Sequence, residues 1–264
     1  MKGSVVAITG ASKGIGAELA RQLAAQGAKL VLAARNEKEL EAVAEQCRKA
    51  GASVITVKAD VAVERDCQAI VAGAVLAFGR LDTLVNNAGI SMWARFEDIQ
   101  DMSILERIMQ VNYMGAVYCT HHALPHLRES KGRLIGVASL AGRTGVPTRT
   151  GYSASKHAMT GFFDSLRIEL EGSGVTVTMI YPGFVATGIR ENATGPDGKA
   201  ILVSPVKEGE VMGVEECARR IATAIARRER EVVMTARGKI GLWLKLLAPS
   251  LIDRIAKRAI ERGR

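Results

Sequence analysis

Ser139, Tyr152 and Lys156 are the residues of this chain whose types and order could do chemistry together. Tyr152 and Lys156 are four positions apart, so on a helix they lie one turn apart on one face, and the ammonium can come near the phenol. An unperturbed phenol, with a pKa near ~10, is a poor base at neutral pH. A neighbouring cation favours the phenolate and brings the group towards general acid–base work. An isolated Tyr-x3-Lys is more often a solvated helix face, so the pair gains weight only from its company: Ser139 closes the apolar run RLIGVAS just upstream.

A second group of residues reads as a nucleotide cradle. TGASKGIG follows the first apolar run and opens into a helical pattern. Gly10 permits a tight turn, Gly14 lets the backbone approach a pyrophosphate, Gly16 allows close helix packing, and the helix start offers free N–H groups to an anion. The spacing is G-x3-G-x-G rather than G-x-G-x-x-G, so taken alone it is equally an ordinary strand-to-helix turn. About 20 residues on, where a ribose-reading side chain is expected, stands Ala34-Arg35-Asn36. An acidic residue there would suit a free 2′-hydroxyl; Arg35 offers its charged fork to a 2′-phosphate, or else is a solvated surface arginine. Asn86-Asn87-Ala88-Gly89 could let a nucleotide lie against the backbone or simply turn the chain. Asp60 could accept from an adenine amino group or cap the next helix.

The elements that must hold these residues are legible as alternating periods. SVVAIT, KLVLAA, SVITVK, DTLVN, RLIGVAS and TVTMIY read as strands buried on both faces, and EVVM from Glu231 as a seventh. Helical patterns run from Ile15 to Gln26, Glu37 to Ala50, Glu64 to Phe78, Asp101 to Leu127, Ala154 to Leu170 and Val214 to Arg227. This predicts a doubly wound (Rossmann) α/β fold, a mostly parallel seven-stranded sheet with helices on both faces, whose ligands bind beyond the carboxyl ends of the strands. A single catalytic domain is expected over 1–236, with a mobile substrate lid at 188–212, where Gly195, Gly198 and Gly209 free the backbone and Ile189, Ile201, Leu202 and Val203 supply apolar surface.

With these signals in one order, the sequence resembles the short-chain dehydrogenase/reductase family. The resemblance runs from residue 4 to about 190 and is carried by TGASKGIG, Asp60-Val61, NNAG, Asn112 in VNYMG, Ser139, YSASK, and Pro182-Gly183 followed by Val185 and Thr187. It implies an oxidoreductase interconverting a carbonyl and a secondary alcohol, with Asn112, Ser139, Tyr152 and Lys156 catalytic. By that similarity Tyr152 gives a proton to the carbonyl oxygen in reduction and takes it back in oxidation, while Ser139 hydrogen-bonds the same oxygen. Lys156 would lower the Tyr152 pKa and hold the nicotinamide ribose, and Asn112 would complete a water-linked proton relay. Cofactor contacts are expected from Gly10, Ser12, Lys13, Gly14, Ile15 and Gly16, from Arg35 and Asn36, and from Asp60, Val61, Asn87, Ala88 and Gly89. Tyr152, Lys156, Pro182, Gly183, Val185 and Thr187 would meet the nicotinamide end. Lys13 and Arg35 resemble the subgroup preferring NADP(H), which is the expected cofactor; no metal is expected, His121-His122 reading as surface or packing. The stretch RENATGPDGKA and the tail are weakly similar to the dehydrogenase/reductase member 7B and 11β-hydroxysteroid dehydrogenase type 1 groups, which points to a lipophilic substrate, steroid-, lipid- or ketone-like. Two other readings share these residues. One is a 3-ketoacyl carrier-protein reductase, separable by comparing free ketones with carrier-bound chains; the other is a non-catalytic NADP(H)-binding regulator, which would not need the four catalytic side chains.

Composition limits the remaining possibilities. A chain of 264 residues needs no staple, and Cys47, Cys67, Cys119 and Cys217 form no Cys-x-x-Cys pair, so a reducing, cytoplasmic setting is expected, with no signal peptide or transmembrane span. The net charge of +9 is concentrated from Val214 onward, where 13 Lys and Arg face 6 Asp and Glu. With few aromatics and no recognition motif, nucleic acid is not an expected partner. In the basic extension 237–264, Pro249 should divide two short amphipathic helices. Their apolar face should be covered by the same subunit or by a partner in a homo-dimer or homo-tetramer; the alternative is peripheral contact with an anionic membrane. Met92-Trp93 either lines a substrate pocket or packs.

Overall fold

Residues apolar on both sides of a strand need helices above and below, and the chain supplies them alternately. The computed structural model describes residues 1–189, 192–202 and 211–261. Its strands are β1 (Val5–Thr9), β2 (Lys29–Ala34), β3 (Val54–Lys58), β4 (Thr83–Asn86), β5 (Arg133–Val137), β6 (Thr176–Tyr181) and β7 (Glu231–Val233), in the order β3-β2-β1-β4-β5-β6-β7. Every pairing described is parallel, which sharpens the expected mostly parallel sheet to a fully parallel one. Val6 of β1 sits between Leu30 of β2 and Thr83 of β4, so β1 and β4 flank the point where the strand order reverses.

Side-chain alternation assigns the layers. Val6 and Ile8 pack into one core with α1 (Gly14–Ala25), α2 (Glu37–Lys49) and α7 (Val214–Arg227). Val5 and Ala7 face the other, with α3 (Glu64–Phe78), α5 (Gly115–Glu129) and α6 (Thr150–Glu169). These ends lie within a residue or two of the sequence pattern, with two departures. The helix expected from Asp101 to Leu127 is α4 (Ser103–Met109), a π turn at Gln110–Met114, and then α5. The helix expected from Ala154 begins at Thr150, where packing overrides the weak propensity of Thr-Gly-Tyr-Ser: a Cβ on Gly151 would lie 2.5 Å from a Leu105 methyl. Tyr152 therefore sits in the first turn of α6.

The expected lid is anchored where it is described. Ala193 is fully buried, Trp93 donates its N–H to the Thr194 carbonyl, and Thr194 donates to Ser91, both at 2.9 Å. Ala186 and Met212 join the roots of the segment through a further backbone bond. Val203 and Gly209, which the lid expectation also used, lie outside the described residues.

The extension forms α8 (Ala236–Leu247) and α9 (Pro249–Glu261), with Pro249 opening α9, where its missing N–H has no partner to lose. The inner side of α8 is tied to the body. Leu242 packs on the core, Lys245 Nζ donates to the Arg143 carbonyl at 2.7 Å, and a Cβ on Gly238 would come 2.9 Å from both Leu140 methyls. Its outer side is open: Ile240, Trp243, Leu246 and Leu247 are 59%, 73%, 75% and 87% exposed, whereas Ile252 of α9 is buried. The chain's own described residues therefore do not cover this stripe. Trp243→Glu should change the free energy of urea unfolding by no more than about 0.5 kcal/mol, whereas Ile252→Glu, which buries a carboxylate, should cost more than about 2 kcal/mol. A large loss for Trp243→Glu together with a change in solution mass would show the stripe to be covered by a second copy.

Candidate active site

The site begins where β1 and β4 end side by side. Thr9 Oγ1 accepts from the N–H groups of Asn87 and Ala88, both at 3.0 Å, and Asn87 Nδ2 donates back to the carbonyls of Thr9 at 2.9 Å and Gly10 at 3.2 Å. Gly10 has φ +65°, and a Cβ there would lie 2.8 Å from Ala88 Cα. A Cβ on Gly16 would collide with the Gly10 carbonyl oxygen. Side chains are thus excluded from this corner. No side chain caps α1 at Lys13, which leaves its first N–H groups to an anion.

A cleft of about 830 Å³ extends from this corner along the carboxyl ends of the strands, a size suited to a dinucleotide with a small substrate. All the residues expected to touch a cofactor line it except Gly16, which packs behind Gly10. At one end Arg35 lies 3.9 Å from Asp60 and Lys13 lies 2.7 Å from Glu39. Asn36 caps α2 by accepting from Glu39 N–H at 3.2 Å. Asp60 does not cap the next helix as one of its two expected roles had it: the N-cap of α3 is Val63 with no side-chain cap, and Asp60 Oδ1 accepts instead from Ala62 N–H at 3.0 Å in the preceding turn.

At the other end the catalytic candidates converge. Ser139 follows β5, and its Oγ accepts from Ala141 N–H at 3.2 Å. Tyr152 is buried but borders the cleft. Lys156 is buried, its Nζ donating to the Val137 carbonyl at 2.9 Å and lying 5.9 Å from the Tyr152 ring centroid. Burial lowers its pKa from 10.5 to about 8. Asn112 stands in the π turn, a geometry frequent at functional sites. Its side chain is locked: Oδ1 accepts from Ile90 N–H at 2.8 Å, and Nδ2 donates to the Ile90 carbonyl and Ser155 Oγ, each at 2.9 Å. A Cβ on Gly89 would lie 3.2 Å from Asn112 Oδ1 and 3.5 Å from Lys156 Nζ, so the absence of that carbon lets the groups gather.

These glycine-bounded surfaces and the ordered cations fit a nicotinamide dinucleotide. A model of the short chain dehydrogenase family matches residues 4–197. The chain belongs to the short-chain dehydrogenase/reductase family. It is 42% identical over 262 residues to the Arabidopsis thaliana protein named 11-beta-hydroxysteroid dehydrogenase-like 4A, covering 98% of this chain and 85% of that one. It is 37% identical over 258 residues to the Dictyostelium discoideum dehydrogenase/reductase SDR family protein 7-like, covering 96% and 80%. A Burkholderia phymatum short chain dehydrogenase/reductase, solved in complex with NAD, superposes with a TM-score of 0.83 at 27% identity over 95% of both chains.

In this short-chain dehydrogenase/reductase, sequence reasoning missed several residues at the reacting end. Arg149, buried one turn before Tyr152, and Phe184 both line the cleft, and Ser155 holds Asn112. The i, i+3 spacing from Arg149 to Tyr152 was visible, but only an earlier helix start gives it meaning. Met92 is fully buried and its Sδ accepts from Gly151 N–H at 3.2 Å, and the Trp93 ring stands 5.4 Å from the Arg149 guanidinium carbon; neither is among the residues lining the cleft, so the pair packs behind it. His122 approaches Glu64 at 3.5 Å, and the described residues contain no cluster of metal-binding side chains.

The buried ammonium makes stability depend on pH. With a folded pKa of about 8 against 10.5, the unfolded chain binds more protons between these values, so stability rises with pH across that window. Below pH 8, keeping the ammonium charged and buried costs about 3 kcal/mol of folding stability. Urea unfolding of wild type and Lys156→Met should therefore diverge in slope between pH 8 and 10.5, with wild type gaining on the variant. Parallel curves would contradict a charged, buried Lys156.

Proposed function

We propose that this short-chain dehydrogenase/reductase is an NADP(H)-dependent enzyme interconverting a carbonyl and a secondary alcohol on a lipophilic substrate. The observation that carries the reading is the meeting of Ser139, Tyr152 and Lys156 at one end of a cleft whose other end holds Lys13 and Arg35. Ile90, Phe184 and Ile189 line the cleft and would favour apolar groups on the substrate. The naming of relatives as hydroxysteroid dehydrogenases supports the same class.

A bound nicotinamide supplies or takes the hydride. In reduction, Ser139 orients the substrate oxygen, and Tyr152 protonates it as the carbon receives the hydride. Lys156 holds the ribose and electrostatically supports Tyr152, and Asn112 fixes the neighbouring backbone so that a water-linked relay can return the proton. The glycine turn and the start of α1 bind the pyrophosphate. Gly188, Ile189, Asn192 and Thr194, the described part of the expected lid, border the cleft and would meet the substrate.

A reducing, cytoplasmic setting is in keeping with the four free, buried cysteines, and a homo-oligomer is proposed on the open face of α8. The open stripe of α8, near Lys239, suits a second copy or an anionic lipid surface. No helix among the described residues is long and apolar enough to cross a membrane.

A panel of ketosteroids, aliphatic and aromatic ketones, small aldehydes and secondary alcohols, followed by NADPH absorbance, tests the activity. On any substrate so found, Tyr152→Phe should lose about 10²- to 10⁴-fold in turnover while still binding NADPH; retention of most activity would remove Tyr152 from its role. Cofactor choice is tested by titration: Ala34→Asp with Arg35→Ala should weaken NADPH relative to NADH by about ten- to a hundredfold, the scale of a charge-assisted contact of ~1.5–3 kcal/mol. Equal wild-type affinity for both cofactors would defeat the NADP(H) assignment.

A further inference from the structure

Arg149 is a buried cation that the proton transfer above leaves unused. Its side chain is 6% exposed, and its guanidinium carbon lies 4.4 Å from the centroid of the Tyr152 ring. The rings of Trp93 and Phe184 stand at 5.4 and 5.9 Å from the same carbon, and Nη2 donates to Ser91 Oγ at 2.5 Å. Lys156 Nζ, the cation to which the Tyr-x3-Lys spacing pointed, is farther from the Tyr152 ring at 5.9 Å and is engaged by the Val137 carbonyl. The two cations also differ in kind, because a guanidinium stays charged where a buried ammonium can lose its proton.

The backbone is arranged to aim this side chain. Thr148, immediately before it, has φ +66°, an unfavourable conformation for a β-branched residue. The strain is held by a bond from Ala94 N–H to the Thr148 carbonyl at 2.9 Å. Ser91, which receives the guanidinium, is fully buried and is itself paired through its carbonyl to Thr194. The guanidinium is therefore fixed before any substrate arrives.

We propose that Arg149 is a positioning residue for the reaction: it braces the Tyr152 ring and supplies the standing positive charge against which the tyrosine oxygen gives up its proton. As the substrate carbon receives the hydride, the Tyr152 O–H bond breaks, the proton bonds to the substrate oxygen, and the electron pair stays on the phenolic oxygen until a solvent proton replaces it. A cation over the ring face attracts the neutral ring through its quadrupole, more so when desolvated. It attracts the phenolate more strongly, so the stabilisation grows along the reaction coordinate and is worth rate rather than ground-state binding. Trp93 and Phe184 keep the guanidinium from turning to solvent.

The inference rests on Tyr152 as the acid–base group, so Arg149→Lys and Arg149→Met are compared with Tyr152→Phe on whichever ketone of the panel turns over fastest. Arg149→Met should lower kcat by about tenfold or more while leaving NADPH affinity, read by fluorescence titration, and the melting temperature near wild type. Arg149→Lys, which keeps the charge, should retain most of kcat. If Tyr152→Phe is inactive but Arg149→Met keeps wild-type kcat, the inference fails and the site assignment survives. If Lys and Met lose kcat equally, or if Met loses NADPH affinity or folding stability in step with kcat, Arg149 is a structural residue only. If Tyr152→Phe itself remains active, the underlying site assignment fails first.

Discussion

The structure depends on the close approach of the β1 and β4 ends, a corner with no room for a side chain at Gly10 or Gly16. The Thr9 hydroxyl and Asn87 amide close it with four hydrogen bonds, which satisfy backbone groups that a sharp turn would otherwise strand. Because every strand runs the same way, the residues after β1, β2, β4, β5 and β6 all emerge on this edge. Glycines, cations, hydroxyl and tyrosine that are far apart in sequence then line one cleft. The corner fixes the depth of that cleft, and the helix start above it fixes the sign of charge it favours.

At the reacting end the problem is to keep positive charge where water is scarce. Lys156 meets it partly, by donating to a strand carbonyl, and still has its pKa lowered to about 8. Arg149 meets it by surrounding a weakly hydrated, planar cation with aromatic faces. The cost of the buried ammonium falls on folding stability and is recovered as preorganisation, since groups already desolvated and oriented need not rearrange during the reaction. The extension shares in this: α8 presses Gly238 against Leu140 and ties Lys245 to Arg143, bracing the turn that follows Ser139. What reads as an appendage in sequence is, on its inner face, packed behind the turn that follows Ser139.

The sheet was legible because its strands are apolar on both faces and bounded by turn residues, and the cleft because its glycines and Arg35 stand at fixed distances from strand ends. The π turn at Asn112 was not legible, since a single extra residue per turn leaves the apolar pattern from Asp101 to Leu127 almost unchanged. Nor was the early start of α6: Thr150 and Gly151 are poor helix formers, held by a contact to Leu105 that only the folded chain reveals. That shift puts Arg149 one turn before Tyr152, a place the pattern from Ala154 did not point to. The outer stripe of α8 was read correctly as apolar, but sequence pattern cannot tell a covered face from an open one, and the described residues leave this one open.

The central claim is that the cleft holds a nicotinamide dinucleotide across the strand-order reversal, with its reactive ring at Tyr152. A crystal structure of the protein with NADPH tests this most directly. The account predicts the pyrophosphate against the backbone of Gly14 and Ile15, the 2′-phosphate beside Arg35, and the nicotinamide between Tyr152 and Pro182-Gly183. A dinucleotide bound in the reverse direction, with adenine at Tyr152, or one that leaves the glycine turn untouched would contradict it.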